Sequence, residues 1–574
     1  MTGFLAQALE ASPIETPHID WLAIGPPVVL FGSALAIVLM AALLRGRSLR
    51  HELDNWTVLA SVLGSTAFWL GRWWTVRFED AYDVAGGALL TIGFAAVLCA
   101  LGASFARRRT FEAALTIGVV GTVSAAALCV VQWNIVRTNG PFQAIAGAVA
   151  VDGFAVFVMA TVLGATLLGL LLGASWLRRE ELEGPEFLAL LLLGATGMLV
   201  MASANDLIVV FVALEVFSIA LYVLAAFDRH RLESQEAGLK YFLLGAFSSA
   251  VFLYGVALTY GATGTTNLTE IARSIAASGV GGDDALLLVG FALLLVGLGF
   301  KVAAAPFHMW TPDVYQGSPT PVTAFMAGAT KAAAFGAFLR IFAGSFGILR
   351  SDWRPAVWGL AVASMVVGAV AAIVQTDVKR MLAYSSIAHA GYVLIGVQVA
   401  DEVVPGGSAF GGTSAALFYL AIYMVMAVGA FGVIQVFGRR GDRAHSIDDY
   451  RGLARREPAL AGLLTLFLLA QAGVPLTAGF VAKLAVFKAA VDAGQYQLAL
   501  IGMLTSTVAA FVYLRIVLAL YSRDGDSTPT PRLAVDLPTG LALFLAGSAV
   551  IVLGVLPGWL LDAAEHATQL LAVP

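Results

Sequence analysis

Residues 294–331 read LLVGLGFKVAAAPFHMWTPDVYQGSPTPVTAFMAGATK. The stretch opens as an apolar helix carrying Lys301, breaks at Pro306, and crosses a loop punctuated by Pro312, Gly317, Pro319 and Pro321. It then re-enters an apolar helix that carries Lys331. A lysine at the middle of a bilayer costs about 2.5–3.5 kcal/mol even on lenient insertion scales, so it tends to line a polar path inside a bundle. The competing reading is a lysine that snorkels to the interface on its long stem. Two lysines on consecutive apolar segments, joined by a proline-rich break, favour the polar path.

The composition sets the class. Of 574 residues, 59% are hydrophobic and only 12% charged, about half the charged fraction of a soluble domain, and the mean hydropathy is +0.87. This is a polytopic membrane protein. The first twenty residues hold no Lys or Arg, so they lack the basic flank of a signal peptide. Cys99 and Cys129 lie in apolar runs and match no redox or metal spacing. The chain has only six lysines, Lys240, Lys301, Lys331, Lys379, Lys483 and Lys488, each in or at the end of an apolar segment, while arginines fill the loops. Arginine stays protonated under nearly all conditions, whereas a buried lysine can titrate near neutrality. A base-composition bias would account for arginine in loops but not for lysine surviving only within apolar segments.

Spanning helices need about 20 apolar residues. Such segments fall near 27–44, 55–72, 85–106, 111–135, 152–176, 186–203, 206–227, 238–260, 285–304, 321–345, 356–375, 381–399, 413–437, 459–491, 497–521 and 538–560. That is sixteen spans and an all-α membrane fold. Alternate loops are basic, from Arg45, Arg47 and Arg50 through Arg107, Arg108 and Arg109 to the six arginines between 439 and 456. The opposite loops hold only Arg72, Arg77, Arg137, Arg273, Arg350 and Arg354. The basic loops are therefore expected in the cytoplasm and both termini outside. One segment is too long for a simple span: 459–491 would reach about 50 Å against a hydrocarbon core of about 30 Å. Gly473, Val474 and Pro475 lie mid-way along it, so a break is expected there, with Lys483 eight residues after Pro475. Two broken helices, five helices apart and each with a nearby lysine, suggest an inverted repeat of the kind found in transporters.

Glu215 lies mid-span in NDLIVVFVALEVFSIALYVL with no other charge in its span. A glutamate there must be neutral, paired or hydrated, and the expected partner is Lys240, which opens the next helix. Lys331 and His389 are also mid-span, His389 close to Ser385 and Ser386. A membrane histidine serves as a relay member or as a satisfied interhelical hydrogen bond, and both readings stay open here. Lys379 and Lys488 lie near segment ends and could snorkel; Arg340 and Arg515 read as structural anchors. No phosphate loop, paired CxxC, zinc spacing or nucleophile elbow is present.

The strings FKVAAAPFHMWTPDVYQGSPTPV, DVKRMLAYSSIAHAGYVLIG, YFLLGAFSSAVFLYG and GVPLTAGFVAKLAVF resemble the antiporter-like membrane subunits of bacterial complex I, the NADH–quinone oxidoreductase. Among these they are most similar to the subunit N branch, and Mrp cation/proton antiporter subunits belong to the wider family. The resemblance implies a fourteen-helix core with two inverted five-helix repeats and broken helices. It implies N-terminal helices over 1–110, an antiporter-like domain over 111–560 with repeats at about 186–345 and 356–521, and a short tail at 561–574. It assigns Glu215 and Lys240 to a coupling pair, Lys301 to the broken helix, Lys331 to the centre, Lys379 and His389 to a polar axis, and Lys483 to its end. A lysine at 483 favours N over M, which carries glutamate there, and the short tail argues against L, which ends in a long lateral helix. The family places two helices before VDGF (151–154) where this chain shows four, so 50–106 reads as an inserted helical pair. The implied function is proton translocation coupled to electron transfer from NADH to quinone, with an Mrp-type antiporter as the alternative. The resemblance further implies no cofactor in this chain: FMN, iron–sulfur clusters and quinone belong to partner subunits. The expected partners are subunit M, the small membrane subunits and the lipid bilayer, with no nucleic acid, and the expected location is the bacterial cell membrane, inner or plasma.

Overall fold

A computed structural model describes residues 20–45, 110–278, 285–400, 411–522 and 533–569. The expected spans at 55–72 and 85–106, and Cys99, lie outside the described residues. The others each fall on helix. In chain order the elements begin with α1 (Gly25–Arg45) and α2 (Thr110–Asn139), then a two-stranded antiparallel hairpin, β1 (Phe142–Ala144) and β2 (Val149–Val151). Next come α3 (Gly153–Glu180), α4 (Pro185–Ser203), α5 (Leu207–Ala225), α6 (Leu232–Thr263), α7 (Leu268–Ser278), α8 (Ala285–Lys301) and α9 (Trp310–Gly317). The second half holds α10 (Thr320–Ser345), α11 (Arg350–Ile373), α12 (Val378–Gln398) and α13 (Gly412–Phe437). It closes with α14 (Pro458–Ala472), α15 (Ala478–Asp492), α16 (Tyr496–Tyr521), α17 (Leu537–Val555) and α18 (Gly558–Gln569).

Lipid offers no hydrogen bonds, so helix ends must be satisfied from within. Asp152, Asp206, Asp377 and Asp536 do this as N-caps of α3, α5, α12 and α17, each accepting a backbone N–H of the first turn. The most apolar windows of α10 and α13 are buried on every side and form the centre of the bundle. α5, α6 and α16 instead expose apolar side chains such as Ile219, Phe247 and Leu518, as a lipid- or partner-facing rim requires. α11 and α12 lie against each other through two glycines. A methyl group at Gly368 would sit 2.5 Å from the Ala388 nitrogen, and one at Gly391 would sit 2.6 Å from Met365 Cγ. Small residues of this kind let membrane helices approach backbone to backbone.

Both expected breaks are present, with different details. The first comes earlier than Pro306: α8 ends at Lys301, so this lysine closes the helix rather than lying inside it. Ala303 follows in the left-handed region at φ 61°, which costs an L-residue roughly 1–2 kcal/mol. The freed Phe300 carbonyl accepts the Trp310 indole N–H at 3.0 Å, and Ala305 N–H donates to Ser364 Oγ at 2.9 Å. In the second break, α14 ends at Ala472 and Gly473 takes a left-handed φ of 88°, which glycine adopts without strain. Lys483 reaches back from α15 and donates to the Ala472 carbonyl at 2.9 Å. Each break thus sets a lysine at the C-terminal, partially negative end of an interrupted helix.

Two features were not expected. α10 is not uniform: π-helical turns at Met326–Thr330 and Arg340–Ser345 flank the α-helical stretch that Lys331 opens. Such turns recur at functional sites. The other is that helix α18 (Gly558–Gln569) enters the stretch at 561–574 that was expected to be a short tail, with Ala564 and Ala567 buried.

Candidate functional site

The helix breaks and the α12 spine bring most of the expected residues into one buried series. Lys301, 1% exposed, donates to Ser218 Oγ at 2.8 Å and lies 3.5 Å from the Tyr222 hydroxyl. The rings of Phe217, Tyr222 and Phe300 stand 5.6 Å from its Nζ, and that of Tyr241 stands 6.0 Å away, close enough for cation–π attraction. Ser218 and Tyr222 lie three and seven residues after Glu215 on α5, hence on its side of the helix. Glu215 is half-buried, and one of its carboxylate oxygens is buried with no hydrogen-bond partner among the described residues. It therefore faces the Lys301 environment. The expected contact with Lys240 is not made: Lys240 pairs with Asp313 at 2.7 Å and with Glu236 at 2.6 Å, at a half-exposed position. Its stem carries the ammonium toward water and the nearer carboxylates.

Lys331, 3% exposed, donates to the carbonyl of Ser386 on α12 and lies 5.6 Å from the Tyr423 ring. One turn along α12, both nitrogens of His389 meet tyrosine hydroxyls, Nδ1 at 2.7 Å from Tyr419 and Nε2 at 3.1 Å from Tyr513. Tyr513 also hydrogen-bonds Ser385. Lys483 donates to Ser506 Oγ at 2.7 Å as well as to Ala472, with the Tyr392 ring 5.2 Å away. Lys379 does not snorkel. It is fully buried at the start of α12, donating to the Ser318 carbonyl at 2.7 Å and to Asp442 at 3.2 Å. Lys488 pairs with Asp492 on the exposed side of α15.

Among the described residues no carboxylate pairs with Lys301, Lys331 or Lys483; their partners are hydroxyls, carbonyls and rings. A carboxylate would hold the proton on the amine. Neutral oxygens and hydroxyls leave both protonation states accommodated, and tyrosine and serine hydroxyls can donate as well as accept. The chemistry the arrangement permits is reversible proton transfer along a line of amines, imidazole and hydroxyls.

Sequence reasoning missed Asp442, Tyr419 and Tyr513. Asp442, 1% exposed, sits in an arginine-rich loop that reads as solvated. Burial pushes its carboxyl up, but Lys379, His445 and Arg231 outweigh this and hold it well below the usual carboxylate range. The tyrosines lie in helices whose apolar neighbours mask them. Arg340 is an anchor as read, bidentate to Asp152 at 2.8 and 2.9 Å with both side chains buried. Arg515 caps α11 through the Ile373 carbonyl at 2.7 Å.

The fold and site define a class: antiporter-like polytopic membrane proteins in which two interrupted helices and a central helix bring lysines into a buried axis. Residues 204–509 match the family model described as NADH:quinone oxidoreductase/Mrp antiporter, transmembrane. The chain belongs to the NADH-quinone oxidoreductase subunit N family. A subunit N from Trichlorobacter lovleyi is 42% identical over 455 residues, covering 79% of this chain and 90% of that protein. One from Rhodococcus opacus is 39% identical over 570 residues, covering 97% of each. A chain of respiratory complex I from Thermus thermophilus superposes with a TM-score of 0.67 at 35% identity, over 83% of this chain and 99% of that one.

Proposed function

We propose that this chain moves protons across the membrane as subunit N of an NADH-quinone oxidoreductase, using Lys301, Lys331 and Lys483 as its carriers. The observation that carries the reading is that all three lysines are buried and partnered by neutral groups. Glu215, on the face of α5 that receives Lys301, biases whether that lysine holds its proton, because a nearby negative charge favours the ammonium. Lys331 is the central carrier. His389 and its tyrosines continue the path along α12, and Lys483 hands the proton to the far side. Lys379 and Lys240 belong to the end of the axis where residues 439–456 lie, Lys240 through Asp313 rather than Glu215. Electron transfer, with its flavin, iron–sulfur centres and quinone, belongs to partner subunits, while the membrane neighbours of this chain are the antiporter-like subunit M and the small membrane subunits. The complex sits in the bacterial inner membrane, with residues 439–456 in the cytoplasm and both termini outside.

The test is proton translocation per NADH oxidised in vesicles holding the whole complex, beside a check of assembly on native gels. Lys331→Ala and Glu215→Gln are expected to assemble but to pump poorly, with coupled quinone reduction slowed. Lys331→Arg should also fail, because arginine keeps the charge and does not release its proton. Normal pumping by an assembled Lys331→Ala complex would exclude Lys331 as an obligatory carrier.

A further inference from the structure

One hydrogen-bonded chain joins four helices inside the axis. It starts at Gln471, the penultimate residue of α14 and so beside the second helix break. Gln471 Nε2 donates to the Met426 carbonyl of α13 at 3.4 Å, and its Oε1 accepts the Ser385 hydroxyl of α12 at 3.4 Å. Ser385 in turn meets the Tyr513 hydroxyl of α16. Tyr513 lies 3.1 Å from His389 Nε2, and the Tyr419 hydroxyl of α13 lies 2.7 Å from His389 Nδ1. All five side chains are buried, none more than 4% exposed, so they must satisfy one another.

Counting donors gives this chain a single direction. Only the NH₂ end of the Gln471 amide donates, so that end faces the Met426 carbonyl and an acceptor faces Ser385. Ser385 commits its one O–H to Gln471 and therefore accepts from Tyr513. Tyr513 commits its O–H to Ser385 and therefore accepts from His389, which places the imidazole hydrogen on Nε2. Nδ1 is left as the lone-pair nitrogen, and the Tyr419 O–H donates to it. Running the chain the other way would leave Gln471 Oε1 buried without a donor, the costly case for a polar group out of water.

We propose that Gln471 is a positioning residue for His389: through Ser385 and Tyr513 it holds the ring in its Nε2–H form, so that the imidazole gains and releases its proton at Nδ1, across Tyr419. The inference rests on the proton-translocating reading above. The Tyr513 branch ends on an amide that does not ionise, so it orients the ring and carries no proton. The Tyr419 side is also the side of Lys331. Tyr423, four residues further along α13, has its ring 4.8 Å from the His389 ring and 5.6 Å from Lys331 Nζ. In uptake, Tyr419 passes its hydroxyl hydrogen to Nδ1 and takes the incoming proton on its own oxygen. One N–H bond forms, one O–H bond breaks and one O–H bond forms. Release is the reverse, and Nε2–H stays bonded to Tyr513 throughout.

The experiment uses the whole complex carrying isotope-labelled histidine. Difference infrared spectra against His389→Gln isolate the ring modes of His389, which distinguish the Nε2–H from the Nδ1–H form, and proton translocation in vesicles is followed beside them. Wild type should show the Nε2–H form alone. Gln471→Met keeps the side-chain length but offers Ser385 no carbonyl. Both forms should then appear in comparable amounts, and pumping should fall about twofold with the competent fraction. Gln471→Glu still accepts from Ser385 and should restore the single form and the wild-type rate. Tyr419→Phe should keep the Nε2–H form yet lose pumping by roughly a hundredfold, the scale on which a positioned proton-transfer group acts. Persistence of the Nε2–H form alone in Gln471→Met, or a mixed population that pumps at the wild-type rate, overturns the proposal. Failure of both Gln471 variants to assemble would make the residue structural, and that too overturns it. Normal pumping by His389→Gln would instead strike the reading that places His389 in the axis, and with it the exchange at Nδ1, whichever tautomer the spectra show.

Discussion

Lys301, Lys331 and Lys483 have neutral partners, whereas Lys379 is held against a buried carboxylate. In the function proposed above, that difference separates carriers from a charge held in place by its counter-ion. Asp442 is the residue on which this clasp depends. Its carboxyl is held well below the usual range, so its contribution to stability is complete above the unfolded value of about 3.9 and is lost as pH falls through the lower native value. Asp442→Asn leaves Lys379 buried without its counter-charge, a loss of about 3–5 kcal/mol for a broken buried pair. We expect a lower melting temperature for the variant complex at neutral pH. The gap from wild type should stay constant down to about pH 5 and narrow only in more acidic buffer, which thermal melts across a pH series would check. A gap that closes above pH 6 would show that another group dominates. Burial of Lys301, Lys331 and Lys483 was legible in the sequence, because each lies within an apolar segment, but burial of Lys379 at a segment end was not. Which partner each one takes was not, as Lys240 and Glu215 show.

The α11–α12 pair positions the axis. Gly391 lies two residues after His389 and faces Met365, whose backbone nitrogen would be 2.8 Å from an added Cβ. Gly391→Val therefore has to push α12 away from α11 and displace His389 from Tyr419 and Tyr513. Overpacking of this kind typically costs about 1–3 kcal/mol. The expected result is an assembled complex with reduced pumping and a lower melting temperature, and unchanged pumping would show that the hydroxyl contacts of His389 are dispensable. The helix breaks were legible because proline and glycine interrupt runs of known length. The π-turns around Lys331 were not, since Met326–Thr330 and Arg340–Ser345 read as ordinary helix.

Over the whole molecule, the arginine-rich loop 439–456 contributes Asp442, Arg443 and His445 to a cavity at one end of the bundle, so the side on which this loop lies fixes the side on which the cavity opens. Single cysteines in 439–456 and in 262–278 test this in cells. An impermeant thiol reagent should label the second loop from outside and leave the first untouched until the membrane is opened. Labelling of 439–456 in intact cells would invert the topology and place this cavity on the external side.

By itself the sequence determined the membrane class, the order and approximate ends of the spans that fall in the described residues, both helix breaks and the placing of lysines within apolar segments. These follow from local physics: apolar length, breaker residues and the cost of a charge in hydrocarbon. The tertiary structure alone decided that Lys301, and not Lys240, lies against the Glu215 side of α5, that His389 lies between two tyrosines, and that Asp442 joins four segments beside the cavity. Those partners lie up to 211 residues apart in the chain. A hydrogen bond is satisfied by whatever the packing of glycine-faced helices brings within about 3 Å, and spacing along one chain carries no record of that.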